Sequence, residues 1–206
     1  MCLLLETVKV QNRRLQNIEA HNLRAANSRR ILFGVEDKLD LRDFIILPDG
    51  LDSGIYKCRI VYAQTVQQVE LLPYIPKRIQ TLRLVFNDTI QYEHKYLDRL
   101  YFDKLLQSAY ADDILIVQHG LITDSSYANV VFYDGKNWVT PARPLLFGTK
   151  RQVLLERGVI QQREIACTDL NRFTHIALIN AMLDLGDIPF ISTENILLSA
   201  LLECRT

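Results

Sequence analysis

The sequence predicts an α+β (mixed α/β) protein in two unequal parts, on three observations. Short runs rich in strand formers recur along the whole chain. Segments long enough for helices stand between some of these runs but not all. A stretch with two prolines and no periodicity, "PYIPK" at residues 73–77, reads as a linker. These place a small α/β domain at 1–74 and a larger domain at 75–206.

Taken in order, "LLLETVKV" has β-branched residues and partial alternation, and predicts a strand. "NIEAHNLRAANSRRILFG" predicts a helix, with Asn17 as N-cap, Ile18, Leu23 and Leu32 as apolar markers, and Gly34 as the stop. "DLRDFIIL" predicts a second helix, ended by "PDG". "GIYKCRIVYA" and "QQVELLPY" predict two antiparallel strands. "TLRLVF" predicts a strand, and "HKYLDRLYFDKL" a helix whose apolar face holds Leu97, Leu100 and Tyr101. From Asp112 to Pro141 the pattern is a series of antiparallel strands, with turns at "HG" and "DGKN". "GTKRQVLLERG" predicts a helix opening at Gly148 and closing at Gly158. "THIALINAML" predicts a strand or buried segment, and "STENILLSALLEC" a short helix capped by Ser192 or Thr193.

Composition narrows the function classes. The chain has 206 residues, 49% of them hydrophobic, enough for one or two real cores. Basic and acidic residues balance at 24 each, and no basic stripe with interleaved aromatics suggests a nucleic-acid partner. Arg29 and Arg30 read as the solvated side of a helix. Cys2, Cys58, Cys167 and Cys204 are scattered without metal-site spacing, so reduced thiols in a cytoplasmic protein are expected, with no metal. No run reaches membrane-span length, and Glu6 interrupts the apolar start.

Four separate stretches carry chemistry. Lys95 stands between a strand-rich segment and a helix. It fits either a solvated surface charge or a partly desolvated amine able to form a Schiff base with a carbonyl. Asp124 opens a polar turn that Asn129 closes. It fits either an ordinary hairpin or a carboxylate aimed at a cationic ring nitrogen. Gly148 and Thr149 stand at a helix start, where free amides favour a phosphate. His21, Arg24 and Ser28 share a helix face, from which an arginine can grip phosphate through its fork of donors. Arg59 and Tyr62 in "CRIVY" fit either a substrate-carboxylate contact or an amphipathic strand with an outward arginine. A lysine for an aldehyde, a carboxylate for a pyridinium and an arginine plus a helix start for a phosphate together fit pyridoxal 5′-phosphate.

The chain resembles the class IV aminotransferases, the fold type IV pyridoxal-phosphate enzymes. "LLETVKV" resembles their opening strand, "HNLRAANS" their H-x-x-R-(x)₃-S helix, and "KYLDR" the K-x-x-N-R motif of the 4-amino-4-deoxychorismate lyases. "LITDSSYANVVF" is similar to T-E-G-x-x-x-N-hydrophobic, "TPARPLLFGTKR" to the phosphate loop TP…LxGxTR, and "LINAM" to the lyase segment CNS. The resemblance runs in order over about residues 3–190. It implies a D-amino-acid aminotransferase-like fold, with a small N-terminal domain and a larger C-terminal pseudo-barrel domain. It makes Lys95 the Schiff-base lysine, with Lys95 and Asp124 the catalytic pair and Arg24 a phosphate ligand. It adds Ser126, Tyr127, Ala128, Asn129, Leu146, Gly148, Thr149, Lys150, Asn180 and Ala181 as cofactor contacts. The activity implied is a lyase releasing 4-aminobenzoate and pyruvate from aminodeoxychorismate. The alternatives are a branched-chain or D-amino-acid aminotransferase, or a non-catalytic cofactor-binding homologue. A cytoplasmic homodimer acting on a small amino substrate is expected, with no nucleic acid and no membrane. Three features depart from the family pattern. Asp124 replaces the usual Glu, Lys150 the usual Thr, and the chain is shorter than typical members, with the missing part expected in the C-terminal domain and the region between the domains.

Overall fold

The computed structural model describes residues 2–198. The chain divides into two compact units, Met1–Pro76 with His94–Asp98, and Lys77–Glu93 with Arg99–Thr206.

In the first unit β1 (Leu4–Gln11), β2 (Arg14–Leu15), β3 (Ile55–Tyr62) and β4 (Val66–Pro73) form an antiparallel sheet in the order β2-β1-β3-β4. One face of β1 buries Leu4, Val8 and Val10 with Cys58, Ile60 and Tyr62 of β3. Helix α1 (Ile18–Phe33) has Gly34 as its C-cap at φ 68°, a left-handed conformation that glycine adopts without a Cβ penalty. Asn17 makes no side-chain cap bond. Its buried stripe is Ile18, His21, Ala25, Ser28 and Arg29, and Leu23 is exposed. Arg29 is not on the solvated side: its guanidinium reaches the Gln64 carbonyl and Asp37. The second expected helix shrinks to one 3₁₀ turn, Leu41–Phe44, capped by Asp40. Ile45 and Ile46 are β-branched and Pro48 follows, so the turn does not propagate.

The second unit contains β5 (Leu82–Phe86), α2 (Leu100–Ala109), β6 (Asp113–Gln118), β7 (Leu121–Ser125), β8 (Asn129–Tyr133) and β9 (Trp138–Pro141). It continues with α3 (Thr149–Glu156), β10 (Gln161–Arg163), β11 (His175–Ile179), β12 (Ile191–Ser192) and β13 (Ile196–Leu197). Among the described residues its strands form one sheet in the order β10-β9-β8-β7-β6-β5-β13, with β11 on β8 and β12 on β11. β5 and β6 are parallel, joined across α2, and β6 to β9 run antiparallel. Helix α2 starts at Leu100, and it buries Phe102 and Ala109 while Leu100 and Tyr101 are exposed. Residues 94–98 are not its first turn, because β1 takes them as a pairing partner: Leu5 N–H donates to the Lys95 carbonyl and Leu97 N–H to the Leu3 carbonyl, both at 2.9 Å. Ser192 caps a 3₁₀ turn at Thr193–Asn195, and β13 follows. The rest of the expected terminal helix, with Cys204, lies outside the described residues.

Strand β8 changes partner along one edge. It pairs with β7 through Asp124 and Asn129 alone, then with β9 at Phe132 and Tyr133, while β11 runs along its other edge throughout. The sheet therefore forks at the pair Asp124–Asn129.

Candidate active site

Each unit gathers part of the candidate set. In the first unit, alternation along β1 turns Glu6 inward with Leu4, Val8 and Val10, where it is fully buried. A carboxylate there must be paired. Arg24 supplies a fork, Nε to Oε1 at 2.8 Å and Nη2 to Oε2 at 2.6 Å, and His21 Nδ1 lies 2.6 Å from Oε2. Burial alone would raise the Glu6 pKa, but the Arg24 charge and the hydrogen bonds of Arg24 and His21 outweigh it and hold it at about 2. Burial lowers the His21 pKa, and the charges of Arg24 and Lys95 add to this against the pull of Glu6. His21 is therefore a neutral imidazole donating Nδ1–H to Glu6. This need for partners explains why α1 buries a polar stripe and exposes Leu23.

Lys95 is half-buried in this unit, its backbone fastened to β1. The preceding His94 has Nδ1 at 3.1 Å from Ser28 Oγ, and the Tyr62 hydroxyl also bonds the Ser28 side chain. Burial, with the Glu6 charge, pushes the Tyr62 phenol above its ordinary range. Arg59 lies on the opposite face of β3 from Tyr62 and donates to Glu70 across the strand pair at 2.9 Å. The two therefore do not converge on one substrate carboxylate, since three positions along a strand reverse the face and Tyr62 belongs to the core.

In the second unit the fork in the sheet is filled by the loop before α3. Asn129 Nδ2 donates to Asp124 Oδ1 at 2.7 Å and to the Leu146 carbonyl at 2.9 Å, and Leu146 N–H donates to Asp124 Oδ2 at 3.0 Å. Burial raises the Asp124 pKa to about 6, against these bonds and the charge of Arg151. Gly148, the N-cap of α3, lies so close that a Cβ would sit 2.0 Å from Asn129 Oδ1. Thr149, Lys150 and Arg151 follow, all buried. The first turn of α3 holds no acid. Arg151 Nη2 donates to the Pro141 carbonyl, and its buried Nε has no partner. Burial lowers the Arg151 pKa, with Asp124 opposing. Lys150 does not offer a bare ammonium to the loop, because its Nζ is in an ion pair with Asp184. Asn180 spends its side-chain oxygen on the Met182 and Leu183 amides, at 2.8 and 3.1 Å, which forms a tight turn that includes Ala181.

The turn after β7 places Ser126, Tyr127 and Ala128. Ser125 N–H donates to the Ala128 carbonyl, and Ser125 Oγ accepts from the Ala128 amide. Arg99 holds this turn from outside: Nη2 donates to the Ser126 carbonyl and Nη1 to the Tyr92 hydroxyl, with the guanidinium over the Tyr92 and Phe102 rings. Sequence reasoning assigned no role to Glu6, Arg99 or Asp184. For Glu6, an acid among inward-facing apolar residues of a strand was the available signal.

The amino-transferase class IV model matches residues 88–189. An uncharacterized protein of Haemophilus influenzae is 38% identical over 182 residues, 87% of this chain and 97% of that one. A crystal structure from Haemophilus somnus 129PT, provisionally assigned as a 4-amino-4-deoxychorismate lyase, is 33% identical, with TM-score 0.82 over 90% of this chain and 98% of that one. A Mycobacterium tuberculosis hypothetical aminotransferase in its pyridoxal-phosphate-bound form shares the fold at 18% identity, with TM-score 0.75 over 98% of this chain and 86% of that one. The two Haemophilus relatives are matched almost end to end, so they share the shortness of this chain. Among the described residues no helix is long and apolar enough to cross a membrane. On a family-model match that spans Lys95, Asp124 and the glycine of the α3 loop, and on relatives above 30% identity along almost their whole length, the chain belongs to the amino-transferase class IV family.

Proposed function

We propose that the protein is a pyridoxal-phosphate-dependent 4-amino-4-deoxychorismate lyase, forming 4-aminobenzoate and pyruvate. The observation that carries the cofactor is the second-unit cluster: a buried carboxylate fixed by Asn129 and Leu146, beside a glycine-capped helix start. The residues fit the group. Gly148 lets the start of α3 close on Asn129, where a Cβ would collide, and the buried Arg151 Nε is an orphaned donor beside an acid-free first turn. The likeness to the Haemophilus somnus structure favours the lyase over an aminotransferase.

When bound, the cofactor supplies an electron sink for the bond broken at the amino-bearing carbon. Lys95 would hold its aldehyde carbon, and its amine would serve as the general base and acid for protons at the amino-bearing carbon. Asp124 would hold a proton on the ring nitrogen, and the resulting cationic ring would favour its ionised form. The α3 amides at Thr149 and Lys150 bind the phosphate. Arg24, whose Nε–Nη2 fork is held by Glu6, would add its charge to phosphate binding as the family resemblance implies. The protein works as a cytoplasmic homodimer and supplies 4-aminobenzoate for folate synthesis.

The test begins with the absorption spectrum of the apoprotein plus pyridoxal phosphate, beside Lys95→Ala. A visible band abolished by borohydride and absent from the variant is expected, followed by 4-aminobenzoate release from aminodeoxychorismate. Keto-acid release from D-alanine or branched-chain amino acids instead would transfer the assignment to an aminotransferase. Absence of the band at saturating cofactor would overturn the catalytic reading. Sedimentation of the purified protein reads the dimer.

A further inference from the structure

Lys150 is an awkward residue for its position. It is the second residue of α3, where the helix end already carries a positive partial charge. It is also buried, so it has given up its hydration, and Arg151 beside it is a second buried cation. Such a lysine stays only if its charge is met. The residue that meets it is Asp184, 34 positions further along the chain, with Nζ 2.5 Å from Oδ1.

Asp184 belongs to the loop between β11 and β12, which is fastened to itself by side chain–backbone bonds. Asn180 Oδ1 accepts from the Met182 and Leu183 amides, Asn180 and Leu183 exchange backbone bonds, and Asp187 accepts from the Asp184 amide. These bonds give the loop a shape. The Lys150–Asp184 pair attaches that shape to the first turn of α3.

We propose that Lys150 and Asp184 form a clamp that positions the Asn180–Ala181 turn against the start of α3, and that Lys150 acts through geometry rather than as a phosphate ligand. The proposal rests on the reading that this end of α3 receives the anionic group of the cofactor. It makes a familiar motif position into a support: the backbone amides bind the anion, and the lysine, neutralised by Asp184, sets the opposite wall.

The pair is tested by Lys150→Met, Asp184→Asn and the double variant, full chain in each case. Two quantities are read: hydrogen exchange of the Met182 and Leu183 amides in the apoprotein, and the dissociation constant for pyridoxal phosphate. The clamp predicts that each single variant speeds exchange and weakens binding by about tenfold, with the double variant no worse than either. A phosphate-binding lysine predicts the opposite sign for Asp184→Asn, which would unmask the ammonium and tighten binding, with exchange unchanged. That result overturns the clamp. So does loss of melting temperature in all three variants without change in exchange or affinity. If the wild type binds no pyridoxal phosphate, the proposed function fails, and the exchange rates alone still decide the clamp.

Discussion

At the scale of single residues, Gly148 shows most directly how the site depends on one missing atom. Its φ is ordinary at −68°, so left-handed backbone is not the reason for glycine. The reason is the 2.0 Å approach that a Cβ would make to Asn129 Oδ1. Asn129 cannot retreat without releasing Asp124 and the Leu146 carbonyl. Gly148→Ala is therefore expected to destabilise the apoprotein by roughly 3 kcal/mol, as buried polar groups lose partners. Urea unfolding reads this, and Gly34→Ala, at a site with open space but a left-handed φ, should cost nearer 1 kcal/mol.

At the scale of elements, the turn between β7 and β8 is held by a residue from the N-terminal end of α2. Arg99 combines a bond to the Ser126 carbonyl, a bond to the Tyr92 hydroxyl and a seat on two rings. Arg99→Gln is expected to lose about 2 kcal/mol and to speed exchange of the Ala128 amide; Tyr92→Phe, which removes one hydroxyl, should lose about 1 kcal/mol. Arg99→Lys should recover less than half, since an ammonium cannot stack flat while making both bonds. Elements whose signals are local were legible in the sequence: β1, α1 with Gly34, the β6 to β9 series and the Gly148 start of α3. Elements decided by distant partners were not. The stretch from His94 to Asp98 looks helical by spacing, yet unpaired groups on β1 claim it. The stripe of α1 follows Glu6 rather than hydrophobicity, so Leu23 misled. In the second unit, Asp124 and Gly148, which meet through Asn129, were legible by their order along the chain, whereas Asp184 as the partner of Lys150 was not, because nothing near position 150 names it.

At the scale of the whole molecule, two buried carboxylates act on stability in opposite directions. Glu6 has its pKa lowered from 4.5 to about 2 in the folded chain. The unfolded chain binds its proton more readily, so this contribution is complete above 4.5 and is lost as pH falls toward 2, a swing of about 3 kcal/mol. Asp124 has its pKa raised from 3.8 to about 6. Here the unfolded chain ionises first, so stability present below 3.8 declines as pH rises to about 6, again by about 3 kcal/mol. These two groups alone give the apoprotein a stability maximum near pH 4. Urea unfolding across about pH 3 to pH 7 should show Asp124→Asn flattening the upper limb and Glu6→Gln flattening the lower, the latter with a large general loss.

The fork in the larger sheet has a consequence for how such a chain can change over generations. Residues inside a continuous ladder answer to two neighbours at once, so a substitution there is judged by the whole sheet. Where β8 leaves β7 for β9, that double obligation lapses at Val130 and Val131, whose backbone ladder runs with β11 alone. Variation can be absorbed at those two positions while Asp124 and Asn129, still paired, stay fixed. A scaffold with a gap of this kind can adjust the packing beside a fixed pair without first relearning how to fold.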